Sequence, residues 1–174
     1  IGQGALTATP LQVARATAGL AMGGVWHRPR LVKTEPDNVV EWKLNPANVK
    51  DIVDGMYGVV NEGGTGASAA IPGIPVAGKT GSAQRISNEL AKANRALANE
   101  LKDNGWFVAF APRDNPEIVV AVLLEGGLHG AFAAPTARDV IKAYFDKKAR
   151  LSKPEQPLAV LKFPLDNAIR LLNN

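Results

Sequence analysis

The stretch Val76-Ala77-Gly78-Lys79-Thr80-Gly81-Ser82-Ala83-Gln84 places the narrowest limits on what this chain can become. The seven residues from Gly78 to Gln84 bring together a lysine, two hydroxyls and two glycines. Extended backbone turns successive side chains to opposite faces. Val76, Gly78, Thr80, Ser82 and Gln84 then point one way, and Ala77, Lys79, Gly81 and Ala83 the other. One face carries two hydroxyls and an amide, and the glycines let another backbone come close.

Two chemistries want such a segment, and they exclude each other. Gly73 to Thr80 matches the phosphate-binding pattern G-x-x-x-x-G-K-[ST] letter for letter. Lys79-Thr80-Gly81 also matches the K-T-G element of serine acyl-transfer sites. A P-loop needs a buried strand ending at its first glycine and a helix starting at its lysine. Ala67-Ser68-Ala69-Ala70-Ile71-Pro72 makes a poor buried strand, and Gly81-Ser82-Ala83-Gln84-Arg85 has no apolar period of 3.6. Pro75 interrupts the loop as well. Ile118 to Leu124, closing on Glu125, imitates a Walker B strand, but apolar runs ending in an acid are common. Context favours a K-T-G strand, with the P-loop as the alternative.

Composition narrows the rest. A length of 174 residues suits one domain. Hydrophobic residues at 46% and charged residues at 21% are ordinary for a globular protein. The net charge of +4 is modest, and the late lysines and arginine (Lys142, Lys147, Lys148, Arg150, Lys153) lie among acids and prolines. Tyr144 and Phe145 fall among them but are expected to face inward, so no aromatic-interleaved basic patch results and nucleic acid is not an expected partner. The absence of cysteine excludes disulfides and thiol catalysis. No apolar run reaches the roughly 20 residues that span a bilayer. The opening on Ile1 leads to the expectation of a piece of a longer protein, with any membrane anchor upstream.

In chain order, Ile1-Gly2-Gln3-Gly4 is a flexible entry. Thr9-Pro10-Leu11-Gln12 starts a helix, with Thr9 as cap, Pro10 in the first turn and Gln12 closing a capping box. Leu11, Ala14, Ala18 and Ala21 give it a narrow stripe of mostly small residues, and Gly23-Gly24 ends it. Val25 to Thr34 is extended, short or at an edge because of Pro29, and Thr34 to Leu44 forms a loop or loose hairpin. Asn45-Pro46 opens the clearest helix, whose Val49, Ile52, Val53, Met56, Tyr57 and Val60 repeat at helical spacing and belong to the core. Asn61 to Gly66 is a turn into the motif strand, expected at about 75–85. Ser87 to Asp103 is expected to be one largely exposed helix with a thin stripe of Leu90, Ala93, Leu97 and Leu101, either a lid or a surface helix.

Gly105 to Pro112 is a strand, Arg113-Asp114-Asn115-Pro116 a turn, and Ile118 to Leu124 a second strand expected to be buried on both faces. Pro135 to Arg150 is a helix with Ala137, Val140, Ile141, Tyr144 and Phe145 inward, and a short helix is expected from Leu165 to Leu172. Helices, then strands, then a helix imply α+β with an antiparallel sheet.

Several motifs in this order resemble one family. They are Ile1 to Gly4 with Thr9 to Gln12, Asp54 to Asn61, Gly64-Thr65-Gly66, Ala77 to Gln84, and Phe107 to Pro112. Together they resemble the second half of the transpeptidase domain of class B penicillin-binding proteins, of the cell-elongation type. The likeness covers about 1–149 and leaves 150–174 as a tail. It implies a partial β-lactamase/transpeptidase-like fold, an antiparallel sheet flanked by helices, that cross-links peptidoglycan through a serine acyl-enzyme.

Three motifs build that site: S-x-x-K, S-x-N and K-T-G. Only the third is present, because Ser68, Ser82, Ser87 and Ser152 begin neither of the others. The nucleophile and its base are therefore expected upstream.

By the resemblance, Lys79 sets a positive charge near the substrate's terminal carboxylate. Thr80 and Ser82 hydrogen-bond that carboxylate, although alternation puts both opposite Lys79. The Ser82 N–H supplies half of an oxyanion hole. Gly78 and Gly81 leave the strand bare, and Gln84 contacts the acyl chain. The implied partners are a peptidoglycan stem peptide, β-lactam antibiotics, the upstream half of the domain and a membrane glycosyltransferase of the elongation machinery. No cofactor is implied. The implied location is the periplasmic face of the inner membrane, anchored by a segment outside this chain.

The other polar residues have plainer roles. His27 and His129 lack nearby ligating partners and suit the surface, so no metal site is expected. Thr65 is a turn residue behind the site, and Trp106 fills the core or flanks the 87–103 insert. A non-catalytic binding module that kept K-T-G is the remaining alternative function, beside the P-loop hydrolase.

Overall fold

The computed structural model describes residues 6–152. The expected entry at Ile1 to Gly4 and the expected helix from Leu165 to Leu172 lie outside them. Three strands, β3 (Ala77–Ala83), β4 (Asn104–Ala111) and β5 (Ile118–Leu124), form one antiparallel sheet in the order β3-β4-β5. The four turn residues Arg113 to Pro116 lie between β4 and β5, as the turn chemistry requires. A separate two-stranded hairpin pairs β1 (Val25–His27) with β2 (Val39–Glu41). The expected extended run of 25–34 is thus only three residues long before the chain departs toward Pro29.

Five α-helices of the described residues surround these strands: α1 (Pro10–Ala21), α2 (Pro46–Asn61), α3 (Asn88–Ala93), α4 (Arg95–Glu100) and α5 (Ala134–Leu151). The first two start where their caps predict. The Thr9 hydroxyl accepts from the Gln12 N–H at 3.2 Å, while the Gln12 side chain accepts from the Thr9 N–H at 2.8 Å. Asn45 caps α2 through the Ala47 N–H at 2.9 Å, with Pro46 in the first turn. The main core holds Val60, Val76, Phe107, Ala109, Ala111, Ala137 and Ile141, with α5 over that face of the sheet. A second cluster of Met56, Ala77 and Phe110 lies on the other face, where α1 contributes Leu20 and Ala21. Helix α2 serves both clusters through Met56 and Val60, so its last turns wrap the β3 edge.

Several expectations need correction. Strand β5 is half-buried from Ile118 to Leu123 and exposed at Leu124, rather than buried on both faces, because it is the outer strand of the sheet. The motif strand is shorter than 75–85, running from Ala77 to Ala83. Ile52 of α2 and Val140 of α5 are 47% and 46% exposed, since each sits at the rim of its helix's apolar stripe. In α1 the buried residue is Gly19 rather than Leu11, which is exposed. A Cβ at Gly19 would stand 1.9 Å from the Trp26 indole nitrogen, so only glycine lets the hairpin dock there. Helix α5 starts one residue before the expected Pro135 and ends one after the expected Arg150, at Leu151.

The insert forms two short helices rather than one. Asn94 stands between them with φ −135° and ψ 91°, and its side chain accepts from the Leu97 N–H at 3.0 Å. An asparagine that bonds the backbone ahead of it competes with the helix behind it. Ser87 caps α3 in the same way. Leu90 is exposed, and Leu97 and Leu101 are half-buried. With so little apolar anchoring, α3 and α4 are expected to open at low free energy. Amide exchange should be fast across 88–100 and slow in β4. Equal protection in the two segments would refute this.

The outer edge of β5 pairs with no other strand among the described residues. It carries Ile118-Val119-Val120-Ala121-Val122-Leu123-Leu124 without a charge. Long uncharged edges recruit further strands. The chain alone is therefore expected to self-associate at micromolar concentration. A sedimentation run showing a clean monomer with a cooperative melt would defeat this expectation.

Candidate active site

Among the described residues strand β3 is the other edge of the sheet, with β4 on one side only. Lys79 pairs in register with Val108, Thr80 with Phe107, Gly81 with Trp106 and Ser82 with Gly105. The lysine and threonine of K-T-G therefore lie mid-strand. No helix begins at Lys79, and no strand ends at Gly73, which sits in a turn with φ +79°. The P-loop alternative fails on both of its geometric requirements.

The motif residues divide into distinct surroundings. Lys79 is exposed, and its Nζ donates to the Thr80 carbonyl at 2.7 Å. No carboxylate pairs with it among the described residues. The Thr80 and Thr65 hydroxyl oxygens are 2.7 Å apart, which brings Thr65 into direct contact with the motif rather than behind it. The contact spans 15 residues of sequence, and no local pattern signals it.

The two motif glycines have different reasons to exist. Gly78 is buried, and a Cβ there would lie 2.6 Å from Phe107 Cζ and 3.2 Å from the Ala109 Cβ. It makes room for the core rather than for a ligand. A Cβ on Gly81 would meet only Trp106, at 3.4 Å for the nearest atom. The protein's own side-chain packing does not demand glycine at 81. Gly130 closes over this end of the sheet, since a Cβ there would come within 2.6 Å of the Gly81 backbone N and O.

A cleft of about 710 Å³ opens beside the end of β3. It gathers Gly81, Ser82, Ala83, Gln84 and Arg85 with Leu6, Val13, Asn104 and Trp106. Lys79 and Thr80 lie outside its wall. Trp106 is half-buried and shares the cleft with Ile86 and Ser87 at the root of the insert, so it flanks the insert rather than filling the core.

An ion-pair chain braces the opposite end of β3. Asp54 binds both Arg113 and, at 2.6 Å, Lys50. Arg113 also lies 5.0 Å over the Tyr57 ring, and its N–H donates to the Pro75 carbonyl at 2.8 Å. The Lys50 hydrogen bond, then the Arg113 charge, hold the Asp54 carboxyl below its ordinary range despite partial desolvation. Asn61 ties α2 to the strand by donating to the Val76 carbonyl at 2.8 Å. His27 pairs with Asp37 at 3.0 Å on an exposed loop, and His129 stacks on Phe132. No group of three ligating side chains occurs among the described residues.

A K-T-G sequence on the edge strand of an antiparallel sheet, with helices on both faces, defines the β-lactamase/transpeptidase-like class of fold. The sequence profile of the penicillin binding protein transpeptidase domain matches residues 1–142, and the chain belongs to that family. It is 44% identical over 164 residues to the peptidoglycan D,D-transpeptidase MrdA of Haemophilus influenzae, across 85% of this chain and 25% of that relative. It is 40% identical to MrdA of Acinetobacter baumannii, across 80% of this chain and 23% of the relative. The chain thus spans about a quarter of the length of these curated relatives.

Among solved structures, Pseudomonas aeruginosa PBP2 in complex with WCK 5153 superposes with a TM-score of 0.69 at 38% identity, covering 83% of this chain and 32% of that one. The ceftriaxone acyl-enzyme of penicillin-binding protein A from Mycobacterium tuberculosis gives 0.67 at 31%, covering 82% and 34%. No helix of the described residues is long and apolar enough to cross a membrane.

Proposed function

We propose that this chain supplies the K-T-G half of a serine-type peptidoglycan D,D-transpeptidase that works in cell elongation, with residues 1–149 as part of the catalytic domain and 150–174 as a tail. The observation that carries the proposal is the K-T-G sequence on a strand that, among the described residues, has no partner on its outer side, and whose Gly81 would bring a side chain against Trp106 alone, at ordinary contact distance. An extended peptide can add to such an edge by main-chain hydrogen bonds. Here the peptide is a stem ending in D-alanyl-D-alanine, and β-lactams take its place.

In this reading the Lys79 ammonium draws the terminal carboxylate and stabilises charge as the acyl-enzyme forms. Thr80 and Ser82 hold the carboxylate through their hydroxyls. The Ser82 N–H and the N–H of the nucleophilic serine share the oxyanion. Gln84 and the cleft beside it receive the acyl chain. The serine and its base come from the upstream half of the domain, since no S-x-x-K or S-x-N occurs in these 174 residues. The assembled protein is held at the periplasmic face of the inner membrane by an upstream anchor and works beside a membrane glycosyltransferase.

The test is covalent labelling by a fluorescent penicillin on a denaturing gel. The 174-residue chain alone should show no labelled band, and the protein that also carries the upstream half should show one. A label on the chain alone that a serine substitution abolishes would overturn the assignment of the nucleophile. A longer protein that has both upstream motifs and never labels would favour a non-catalytic module.

A further inference from the structure

The contact between Thr65 and Thr80 is built rather than incidental. Thr65 lies between Gly64 and Gly66, and neither position tolerates a side chain. A Cβ on Gly64 would fall 2.6 Å from the Val59 backbone, and one on Gly66 would fall 2.9 Å from the Phe107 ring. The Gly66 N–H donates to the Val59 carbonyl at 3.0 Å, pinning the turn to the end of α2. The turn is thus pressed against α2 on one side and against the core ring under β3 on the other. That packing delivers the Thr65 hydroxyl to 2.7 Å from the Thr80 hydroxyl, the usual separation for an O–H···O bond.

A hydroxyl has one hydrogen to give and two lone pairs to receive with. A carboxylate only accepts. If Thr80 gave its hydrogen to Thr65, it would have none for a carboxylate. If Thr65 gives its hydrogen to Thr80, the Thr80 hydrogen is free and is polarised by the bond behind it. Binding of an anion at Thr80 therefore selects one direction of the pair.

We infer that Thr65 is a positioning residue that acts through Thr80, donating to its oxygen so that the Thr80 hydrogen is presented to the carboxylate of the incoming peptide or β-lactam. This rests on the functional reading above, in which Thr80 meets that carboxylate. The catalytic contact belongs to Thr80, and Thr65 sets which way it points.

The experiment uses the protein that carries this chain together with its upstream half, and measures the second-order rate of acylation by benzylpenicillin. Thr65→Val should lower the rate about fivefold to tenfold, the size expected for losing one hydrogen bond that supports a charged partner. Thr65→Ser should restore it to within about twofold, since serine keeps the hydroxyl. In a Thr80→Val background, Thr65→Val should have no further effect, because the residue through which it acts is gone. With benzylpenicillin methyl ester, whose carboxylate is masked, Thr65→Val should also have no effect.

A Thr65→Val rate equal to wild type would overturn the inference. So would an equal loss in the Thr80→Val background or with the ester, because either would mean that Thr65 only supports the turn. Lys79→Ala separates the two levels: a wild-type rate there would sink the site assignment itself, whatever Thr65 does. If Thr65→Val fails to fold, Thr65→Ala with the same acid-against-ester comparison decides the matter.

Discussion

Replacing Lys79 with alanine, in the protein that carries this chain and its upstream half, is expected to slow acylation by benzylpenicillin about 100-fold or more. The expectation comes from the setting of the side chain. Lys79 is exposed at the sheet edge and donates to the Thr80 carbonyl, at 2.7 Å. No acidic side chain of the described residues neutralises it. Its charge is therefore available to an anionic substrate. Removing a preorganised electrostatic donor costs far more in the transition state than in the resting fold. Stability should change by less than about 0.5 kcal/mol, as for surface substitutions generally. The two measurements together are diagnostic. A large loss of rate with an unchanged melt supports the assignment, and a wild-type rate ends it.

Phe107→Ala should have the largest effect on folding, about 3–5 kcal/mol in denaturant unfolding of the same protein. Phe107 is fully buried, among the largest such side chains of the described residues. Its ring takes the space left by two glycines: the nearest ring atom would be 2.6 Å from a Cβ at Gly78 and 2.9 Å from one at Gly66. Truncation would open a cavity beneath the motif strand and beside the turn that carries Thr65. Total stabilities of about 5–15 kcal/mol make that a large fraction. Trp106→Ala is the useful contrast, because Trp106 is half-buried and lines the cleft on the opposite face of the same strand. It should cost less stability. A loss below about 1 kcal/mol for Phe107→Ala would show that the sheet is not packed as described.

Much of this architecture was legible from local signals. Thr9, Pro10 and Gln12 announced α1, and Asn45-Pro46 with the period from Val49 to Val60 announced α2. The apolar runs on either side of Arg113 to Pro116 announced β4 and β5. The K-T-G stretch announced an extended segment, and the alternation of its two faces holds: Gly78 lies against Phe107 and Ala109 on one side, and Ala77 packs with Phe110 and Met56 on the other. Each of these depends on residues within about four positions of one another, so the sequence carries them without help from the rest of the molecule.

What the sequence left open was decided by partners far along the chain. Gly78 and Gly81 look alike in sequence, yet one is required by the Phe107 ring and the other by nothing in the fold. Gly19 is a helix-weakening residue until Trp26 is seen to occupy the space beside it. The insert divides at Asn94, where a side-chain bond of 3.0 Å outweighs a weak apolar stripe with few core contacts. The apolar composition of β5 suggested burial on both faces, but burial depends on a strand's neighbours, and among the described residues β5 has one only on its β4 side. Thr65 met Thr80 only because α2, the glycine turn and β4 converge. The sequence alone thus determined the elements and the chemistry carried by the motif strand. The tertiary structure decided which of those groups meet and which remain exposed, because contacts between distant segments depend on packing that no local period encodes.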